Sequence, residues 1–149
     1  MANEILQSWG TTTAITATGL NSLADDTLVA MAEVADGDDK VPPQVKIWIQ
    51  FKVGSSPAAN SLVSAFLARG DDHGTEIYDG LQEAALYEAG LEFLGALPVS
   101  SDSDYTYKFS VTADNPGTRW KLVIKNDTNA ALYGSGHLIH YRYMTPEVQ

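Results

Sequence analysis

The segment QVKIWIQFKV, residues Gln44–Val53, alternates apolar and polar side chains over its whole length. Successive side chains of a β-strand point to opposite faces, so this pattern predicts a strand with one buried face. The predicted buried set is Val45, Ile47, Ile49, Phe51 and Val53. The outward set consists of lysine and glutamine except for Trp48, and this tryptophan therefore requires an explanation of its own.

Period-two alternation recurs along the chain between turn-forming residues. Further strands are predicted at Thr12–Thr18, Thr27–Val34, Ser61–Arg69, Leu91–Val99, Tyr105–Ala113, Thr118–Asn126 and His137–Met144, with a short one near Glu76–Tyr78. The Ser61–Arg69 strand is apolar on both faces, so we expect it to be covered on both sides. Residues 81–89 are rich in alanine, glutamate and leucine, which favours either a short helix or an irregular connection.

The number and spacing of these segments predict an all-β protein. Eight to nine antiparallel strands separated by turn signals are typical of a β-sandwich, here jelly-roll-like. No linker divides the sequence, so residues 1–149 are interpreted as a single domain. The terminal segments 1–10 and 145–149 are expected to form short arms outside the sheets.

Composition restricts the classes of function. The 149 residues carry a formal charge of −10 and contain no cysteine. The charge disfavours binding to nucleic acid or to an anionic membrane, and the lack of cysteine excludes disulfides and thiolate chemistry. No apolar run approaches the roughly 20 residues needed to cross a bilayer. The nearby cations Lys108, Arg119, Lys121 and Lys125 could form a local basic face, and outward strand positions explain them more simply.

The motifs that resemble active sites have simpler explanations. In GSGH, Ser135 stands two residues before His137, but the G-x-S-x-G turn that presents a nucleophilic serine is missing. A glycine-rich loop explains this segment better than a catalytic pair does. The sequence NDT at Asn126 matches a glycosylation pattern, which carries little weight without a secretory signal. We therefore predict no catalytic residues.

One acidic loop, DDHGTE, is the densest polar cluster in the chain. Its carboxylates Asp71, Asp72 and Glu76 are weak candidates for binding a divalent cation, since hard cations prefer oxygen ligands. The segment does not match a calcium-loop motif, and a solvated turn explains its composition. We predict no metal and no cofactor.

The three tryptophans differ in their predicted environments. Trp120 lies on the apolar face of its strand and is predicted to be in the core. Trp48 and Trp9 are candidates for an interface, because aromatic residues are enriched where protein surfaces meet. The cover over Trp48 can come from its own chain or from a neighbouring subunit, and the sequence leaves both alternatives open.

Several segments together resemble a known class of protein. They are TTTAITATGLNSLADD with TLVAMAEV, KIWIQFKV, SAFLARGDDHGTEIYDG, LEFLGALPV, RWKLVIKNDTNAAL and LIHYRYM, of which KLVIKNDTNAAL is the most specific. The chain is similar to small virion structural proteins of tailed bacteriophages, particularly head decoration proteins and other minor virion β-sandwich proteins. The resemblance lies in strands and loops and does not identify individual binding residues.

The resemblance implies a noncatalytic protein that is made in the host cytoplasm and becomes part of the virion. Its expected partners are the major capsid protein or other virion proteins and further copies of itself, with no nucleic acid and no membrane. The main alternative is a carbohydrate-binding module, such as a tail-associated host-attachment protein with a tryptophan platform. A third hypothesis is a small hydrolase that uses Asp71, Asp72 or Glu76.

Overall fold

The computed structural model describes residues 5–35, 41–71, 77–78, 81–82, 85–102 and 105–148. In chain order the strands are β1 Ile5–Trp9, β2 Thr13–Ile15, β3 Thr27–Ala30, β4 Val34–Ala35, β5 Gln44–Lys52, β6 Leu62–Asp71, β7 Ile77–Tyr78, β8 Leu81–Gln82, β9 Ala85–Leu86, β10 Glu92–Pro98, β11 Thr106–Asp114, β12 Arg119–Asp127 and β13 Leu138–Val148. Two single 3₁₀ turns, Thr18–Leu20 and Glu88–Gly90, complete the described elements.

Two antiparallel sheets contain the long strands. Sheet I has the order β1–β13–β5–β11, and β2 pairs with β13 on the same side as β1. Sheet II has the order β10–β6–β12–β3, with β4 beside β12 in line with β3 and β7 on β6. Counting β1 with β2 and β3 with β4 as interrupted strands gives eight long strands, four in each sheet.

The path of the chain between the sheets is that of a jelly roll. Among the eight long strands only β6 and β10 are both consecutive and in the same sheet, and every other connection crosses from one sheet to the other. This arrangement of eight strands in two sheets is the jelly-roll architecture. The predicted fold class, an antiparallel β-sandwich of jelly-roll type, is confirmed.

The core lies between the inner faces of the two sheets. The side chains of β5 alternate between buried and half-buried without a break, as the sequence predicted. The fully buried residues of β5 are Val45, Ile47, Ile49 and Phe51, each at most 1% exposed. Val63, Ala65 and Leu67 of β6 and Leu122 and Ile124 of β12 face them from sheet II, all at 0% exposure. Removal of this apolar area from water stabilises the sandwich at roughly 25 cal/mol per Å² buried.

The outer face of sheet II is covered by its own chain over the central strands β6 and β12, whereas Phe93 of β10 is 60% exposed. Phe66, Ala68 and Val123 point outward from β6 and β12, yet each is at most 4% exposed. Tyr78 of β7 packs on them together with Leu86 and Leu91. The prediction that the Ser61–Arg69 strand is covered on both sides is therefore confirmed.

A short helix near residues 81–89 was one of two alternatives, and the described residues of this segment contain no α-helix. The described part of this segment consists of β8, β9 and the single 3₁₀ turn Glu88–Gly90. Packing is the physical reason. Leu86 and Leu91 both contact the outer face of sheet II, and an extended connection lets residues this far apart reach the same sheet surface. Tertiary contacts thus override the helical propensity of the segment.

A lysine holds this connection against sheet II. The ammonium of Lys125, on β12, lies 3.0 Å from Glu88 and 3.2 Å from Asp127, and its side chain is only 19% exposed. The hydrogen bond with Glu88 raises the pKa of Lys125, burial opposes this effect and Asp127 adds to it. The contact therefore stabilises the folded protein fully at pH values below the ordinary pKa of lysine. This contribution is lost only as the pH rises through the raised pKa of Lys125 in the folded state.

The terminal segments form part of sheet I over their described lengths. Ile5 to Trp9 pair in register with Val148 to Met144, so β1 and the end of β13 form a continuous ladder. The expected arms at 1–10 and 145–149 therefore do not lie outside the sheets at these residues. Main-chain hydrogen bonding explains the difference, because two extended segments that meet satisfy each other's backbone groups.

Asn126 is the centre of a buried polar network. Its amide nitrogen donates to the carbonyl oxygens of Leu23 and Ala130, at 2.9 and 2.8 Å. Its amide oxygen accepts from the backbone N–H and the hydroxyl of Thr128, at 3.2 and 2.7 Å. All four hydrogen-bonding positions of the amide are satisfied, and Asn126 is 0% exposed. Asn126 of the NDT pattern thus hydrogen-bonds both to the loop after β12, through Ala130, and to the loop before β3, through Leu23.

Trp120 occupies the core, as predicted from its strand. It is 0% exposed, and its indole nitrogen donates to the hydroxyl of Tyr143 across the two sheets at 2.9 Å. Its ring meets that of Tyr141 edge to face, with centroids 5.4 Å apart. Trp120 therefore links β12 of sheet II to β13 of sheet I.

We predict that Trp120→Ala lowers the free energy of unfolding by about 3–5 kcal/mol, because it removes a fully buried aromatic ring. Trp9→Ala is the matched control: Trp9 is 37% exposed, and its removal is expected to cost less than about 1 kcal/mol. Urea unfolding followed by far-ultraviolet circular dichroism measures both values. Equal losses for the two variants would contradict the assignment of Trp120 to the core.

We further predict that Asn126→Asp destabilises the fold by at least about 2 kcal/mol at neutral pH, because a carboxylate facing two carbonyl oxygens cannot donate to them. The loss should shrink at acid pH, where a protonated carboxyl can donate one hydrogen bond. Asn21→Asp, the same change at an exposed asparagine, serves as the control. Thermal unfolding of both variants between pH 4 and pH 8 tests the prediction, and identical pH profiles would refute it.

Candidate functional site

The outer face of sheet I is the candidate functional site. Across β11, β5 and β13 its side chains form three rows, set by the strand register. The rows are Lys108–Gln50–Leu138, Ser110–Trp48–His140 and Thr112–Lys46–Arg142. Trp48 therefore occupies the central position. Directly opposed residues in antiparallel strands have Cβ atoms about 5 Å apart, so each row is a set of adjacent side chains.

Arg142 stacks between two tryptophans on this face. The central carbon of its guanidinium lies 4.7 Å from the ring centroid of Trp48 and 5.7 Å from that of Trp9. The ammonium of Lys46 also lies over Trp48, at 5.4 Å. Cations over indole rings are stabilised by the ring quadrupole, so these contacts fix the orientation of Trp48. The predicted interface candidates Trp9 and Trp48 are thus brought together by a third residue.

Two shallow depressions flank Trp48. The larger, of about 450 Å³, is lined by side chains of two rows: Gln50, Lys108, Ser110, Leu138 and His140 join Trp48 around it. The smaller, of about 300 Å³, is lined by Thr12, Trp48, His140 and Arg142. Trp48 and His140 border both and form a ridge between them. Lys46 and Arg142, which stack on Trp48, belong to the Thr112–Lys46–Arg142 row. The larger depression lies on the opposite side of Trp48, toward the Lys108–Gln50–Leu138 row.

The face is basic on an acidic protein. Four of the nine lysines and arginines of the chain point outward from its three strands: Lys46, Lys52, Lys108 and Arg142. Among the described side chains at outward positions of these strands, the only carboxylate is Asp114, at one end, where it accepts a hydrogen bond from Gln44. Leu138 is 50% exposed and adds an apolar contact surface. Tryptophan and arginine are enriched at protein contact surfaces, whereas lysine is depleted there, so Trp48 and Arg142 are the residues of this face whose types are typical of an interface.

The histidine of the GSGH segment has a structural role. His137 is buried, its Nδ1 accepts from the backbone N–H of Lys52 at 3.3 Å, and its Nε2 lies 2.7 Å from the carbonyl oxygen of Tyr133. A neutral ring with the proton on Nε2 satisfies both contacts. Both nitrogens are therefore engaged by the main chain, which leaves no lone pair for Ser135.

The weak metal candidates fall largely outside the described residues. Asp71 ends β6, its side chain is not among those described, and Asp72 and Glu76 lie in a segment outside the described residues. Within the part of the chain that the structure describes, no three histidine, aspartate or glutamate side chains are grouped closely enough to hold a metal ion.

The four cations close together in sequence do not form one patch. Lys108 belongs to the outer face of sheet I, whereas Arg119, Lys121 and Lys125 lie on β12 in sheet II. Lys121 covers the ring of Tyr78 at 4.1 Å and Lys125 is paired with carboxylates.

Sequence reasoning missed His140 and Arg142 as neighbours of Trp48. The alternation in HLIHYRYM could have identified them as outward residues of their strand. It could not show that β13 lies beside β5, because strand order depends on the whole topology.

Neither a family model nor a curated protein matches this sequence. Among the described residues, no helix has the length and apolar character required to span a bilayer.

We predict that Arg142→Ala lowers the free energy of unfolding by about 1 kcal/mol, because it removes two cation–π contacts worth about 0.5–1 kcal/mol each when exposed. It should also raise the acrylamide quenching of Trp48 fluorescence, measured in a Trp9→Phe background. Lys108→Ala removes a cation from the same face and leaves the stacked cations in place, so we expect no change in quenching. An Arg142→Ala protein that is quenched no more than its parent would disprove the stacked arrangement.

Proposed function

We propose that this chain is a noncatalytic structural protein of a bacteriophage virion, a decoration protein that binds the outside of the shell in many copies. The resemblance in sequence to small virion β-sandwich proteins motivates the phage assignment. The jelly-roll fold is compatible with it and does not by itself identify a function. The proposed partner is the major capsid protein or another virion protein, and the proposed location is the virion, after synthesis in the host cytoplasm.

One observation carries the binding part of the proposal: the central strands of sheet II, β6 and β12, are covered on their outer face by their own chain, and sheet I presents Trp48, Arg142 and Trp9 there. Tryptophan and arginine are the residues that most often dominate the binding energy of protein interfaces. Because Arg142 already holds Trp48 in place, little side-chain freedom is lost when a partner binds, and this reduces the entropic cost of association.

Repetition on a symmetric shell compensates for a small contact. A symmetric assembly repeats the same contact at every equivalent position, so a modest interaction is multiplied over the particle. Each bound copy would stabilise the assembled shell relative to free subunits through binding linkage. Contacts between neighbouring copies are part of the proposal and would add to this stabilisation.

A carbohydrate-binding module remains the second candidate, and the depressions beside Trp48 favour it. A tryptophan between two shallow concavities can stack a sugar ring while Gln50, Ser110 and His140 offer hydrogen-bonding groups. Glycan-array screening of the intact chain separates the two functions. If the chain binds glycans, Trp48→Ala abolishes this binding and the chain is absent from particles, the results favour a carbohydrate-binding module.

We predict that mass spectrometry of purified particles detects the chain in many copies, and that cryo-electron microscopy places sheet I against the shell. Added back to particles that lack it, the Trp48→Ala protein should bind at least about tenfold more weakly, since an interface hot spot contributes about 2 kcal/mol or more. Phe93→Ala is the matched control, because Phe93 is an aromatic residue 60% exposed on sheet II. Absence of the chain from particles would refute the proposed function.

A further inference from the structure

The cations on the outer face of sheet I are spread along the strands rather than gathered at one depression. Lys52 and Lys46 lie six residues apart on β5, which corresponds to about 20 Å at the rise of an antiparallel strand. Lys108 and Arg142 flank β5 on either side. The cationic side chains are therefore arranged along β5, with Lys46 over Trp48 and Lys52 over the ring of Tyr133, and an occupant that contacts both must be extended over a similar length.

The size of the face limits what can fill it. Four strands at a spacing of about 4.8 Å give a width of roughly 14 Å, and the nine residues of β5 span about 30 Å, so the face covers roughly 400 Å² in projection. A stable interface between two globular proteins buries about 800 Å² on each side. The face alone is smaller than this, so a globular partner would need contacts beyond it. An extended segment of about six residues spans about 20 Å and matches the separation of Lys46 and Lys52 along β5.

Charge selects the chemistry of that segment. The same face of a second copy would bring like charges together, which costs energy at an interface. Carboxylates are complementary to the cations, and the larger depression offers a place for one of them beside Lys108, whose side chain is exposed. The imidazole of His140 lines the same depression and can donate a hydrogen bond from its ring N–H. Trp48 and Leu138 provide apolar surface for the stems of such side chains.

We propose that the outer face of sheet I binds an extended acidic segment of the partner protein, about six residues long, running along β5 with one carboxylate in the depression lined by Lys108, His140 and Trp48. This inference rests on the proposed function in that it names the part of the partner that makes contact. The segment is identified by its carboxylates and its extended shape. Its contacts with lysines at an exposed face make the binding weak and salt-dependent.

The test uses the full chain and a capped hexaglutamate peptide, with capped hexaglutamine as the uncharged control. In ¹⁵N-labelled protein, hexaglutamate is expected to shift amide resonances of β5, β11 and β13, and hexaglutamine is not. The affinity should fall as the salt concentration rises from 50 to 200 mM, since screening weakens exposed charge pairs. Shifts that map to sheet II, or equal binding of the two peptides, would overturn the proposal.

Charge variants locate the contact on the face. Lys108→Gln is expected to weaken hexaglutamate binding roughly two- to fivefold, since one exposed ion pair contributes about 0.2–1 kcal/mol. The double variant with Lys46→Gln and Lys108→Gln should bind hexaglutamate more weakly than either single variant. Lys121→Gln removes the same charge from the other sheet and should change the affinity less than about twofold. An unchanged melting temperature confirms that each variant is folded. Equal effects of Lys108→Gln and Lys121→Gln would overturn the proposal.

Two other ligands compete with this assignment and are included in the titrations. A hexameric polyuronate tests for an acidic glycan, and an oligodeoxythymidylate of six nucleotides tests for a single-stranded nucleic acid. Tighter binding of either than of hexaglutamate would reject the peptide assignment. These results are independent of whether the chain is found in particles. A chain present in virions that does not bind hexaglutamate refutes this inference alone, and a chain absent from them refutes the proposed function.

Discussion

The strict alternation of β5 is the constraint on which the rest of the structure depends. Its inward side chains are fully buried between the sheets, and this burial fixes the direction of every outward side chain, because successive residues on a strand face opposite sides. A shift of one residue in its pairing would exchange the two sets and expose the core. The position of Trp48 at the centre of the outer face is therefore a consequence of core packing, as is the register that places Ser110 and His140 beside it.

The two outer faces of the sandwich differ in how they are covered. On sheet II the connection between β6 and β10 lies over Phe66, Ala68 and Val123, and Lys125 holds it through Glu88. On sheet I the apolar part is smaller, and Arg142 and Lys46 cover one side of Trp48. A sheet can bury an apolar outer face under its own chain, or it can keep that face half polar and accessible. This protein does both: the central strands of sheet II are covered, and the outer face of sheet I is half polar and accessible.

Several residues that look functional in the sequence act in the fold. Asn126, in a glycosylation pattern, satisfies four hydrogen bonds inside the protein. His137, beside a serine, is held by two main-chain groups. Both lie near the connection between β12 and β13, where a loop must turn over the end of the sandwich and its backbone groups need partners. These polar side chains satisfy main-chain groups of the connection, which accounts for their presence without a catalytic or glycosylation role.

The sequence by itself determined the all-β class, most of the long strands, the burial of Trp120 and the outward direction of Trp48, because these depend on local periodicity. The tertiary structure decided which strands are neighbours, and so it alone brought Arg142 and His140 to Trp48 from about 90 positions away in the chain. It also decided that Ile5–Trp9 pairs within sheet I and that residues 85–90 do not form an α-helix. Both outcomes come from contacts between distant segments, which local propensity does not contain.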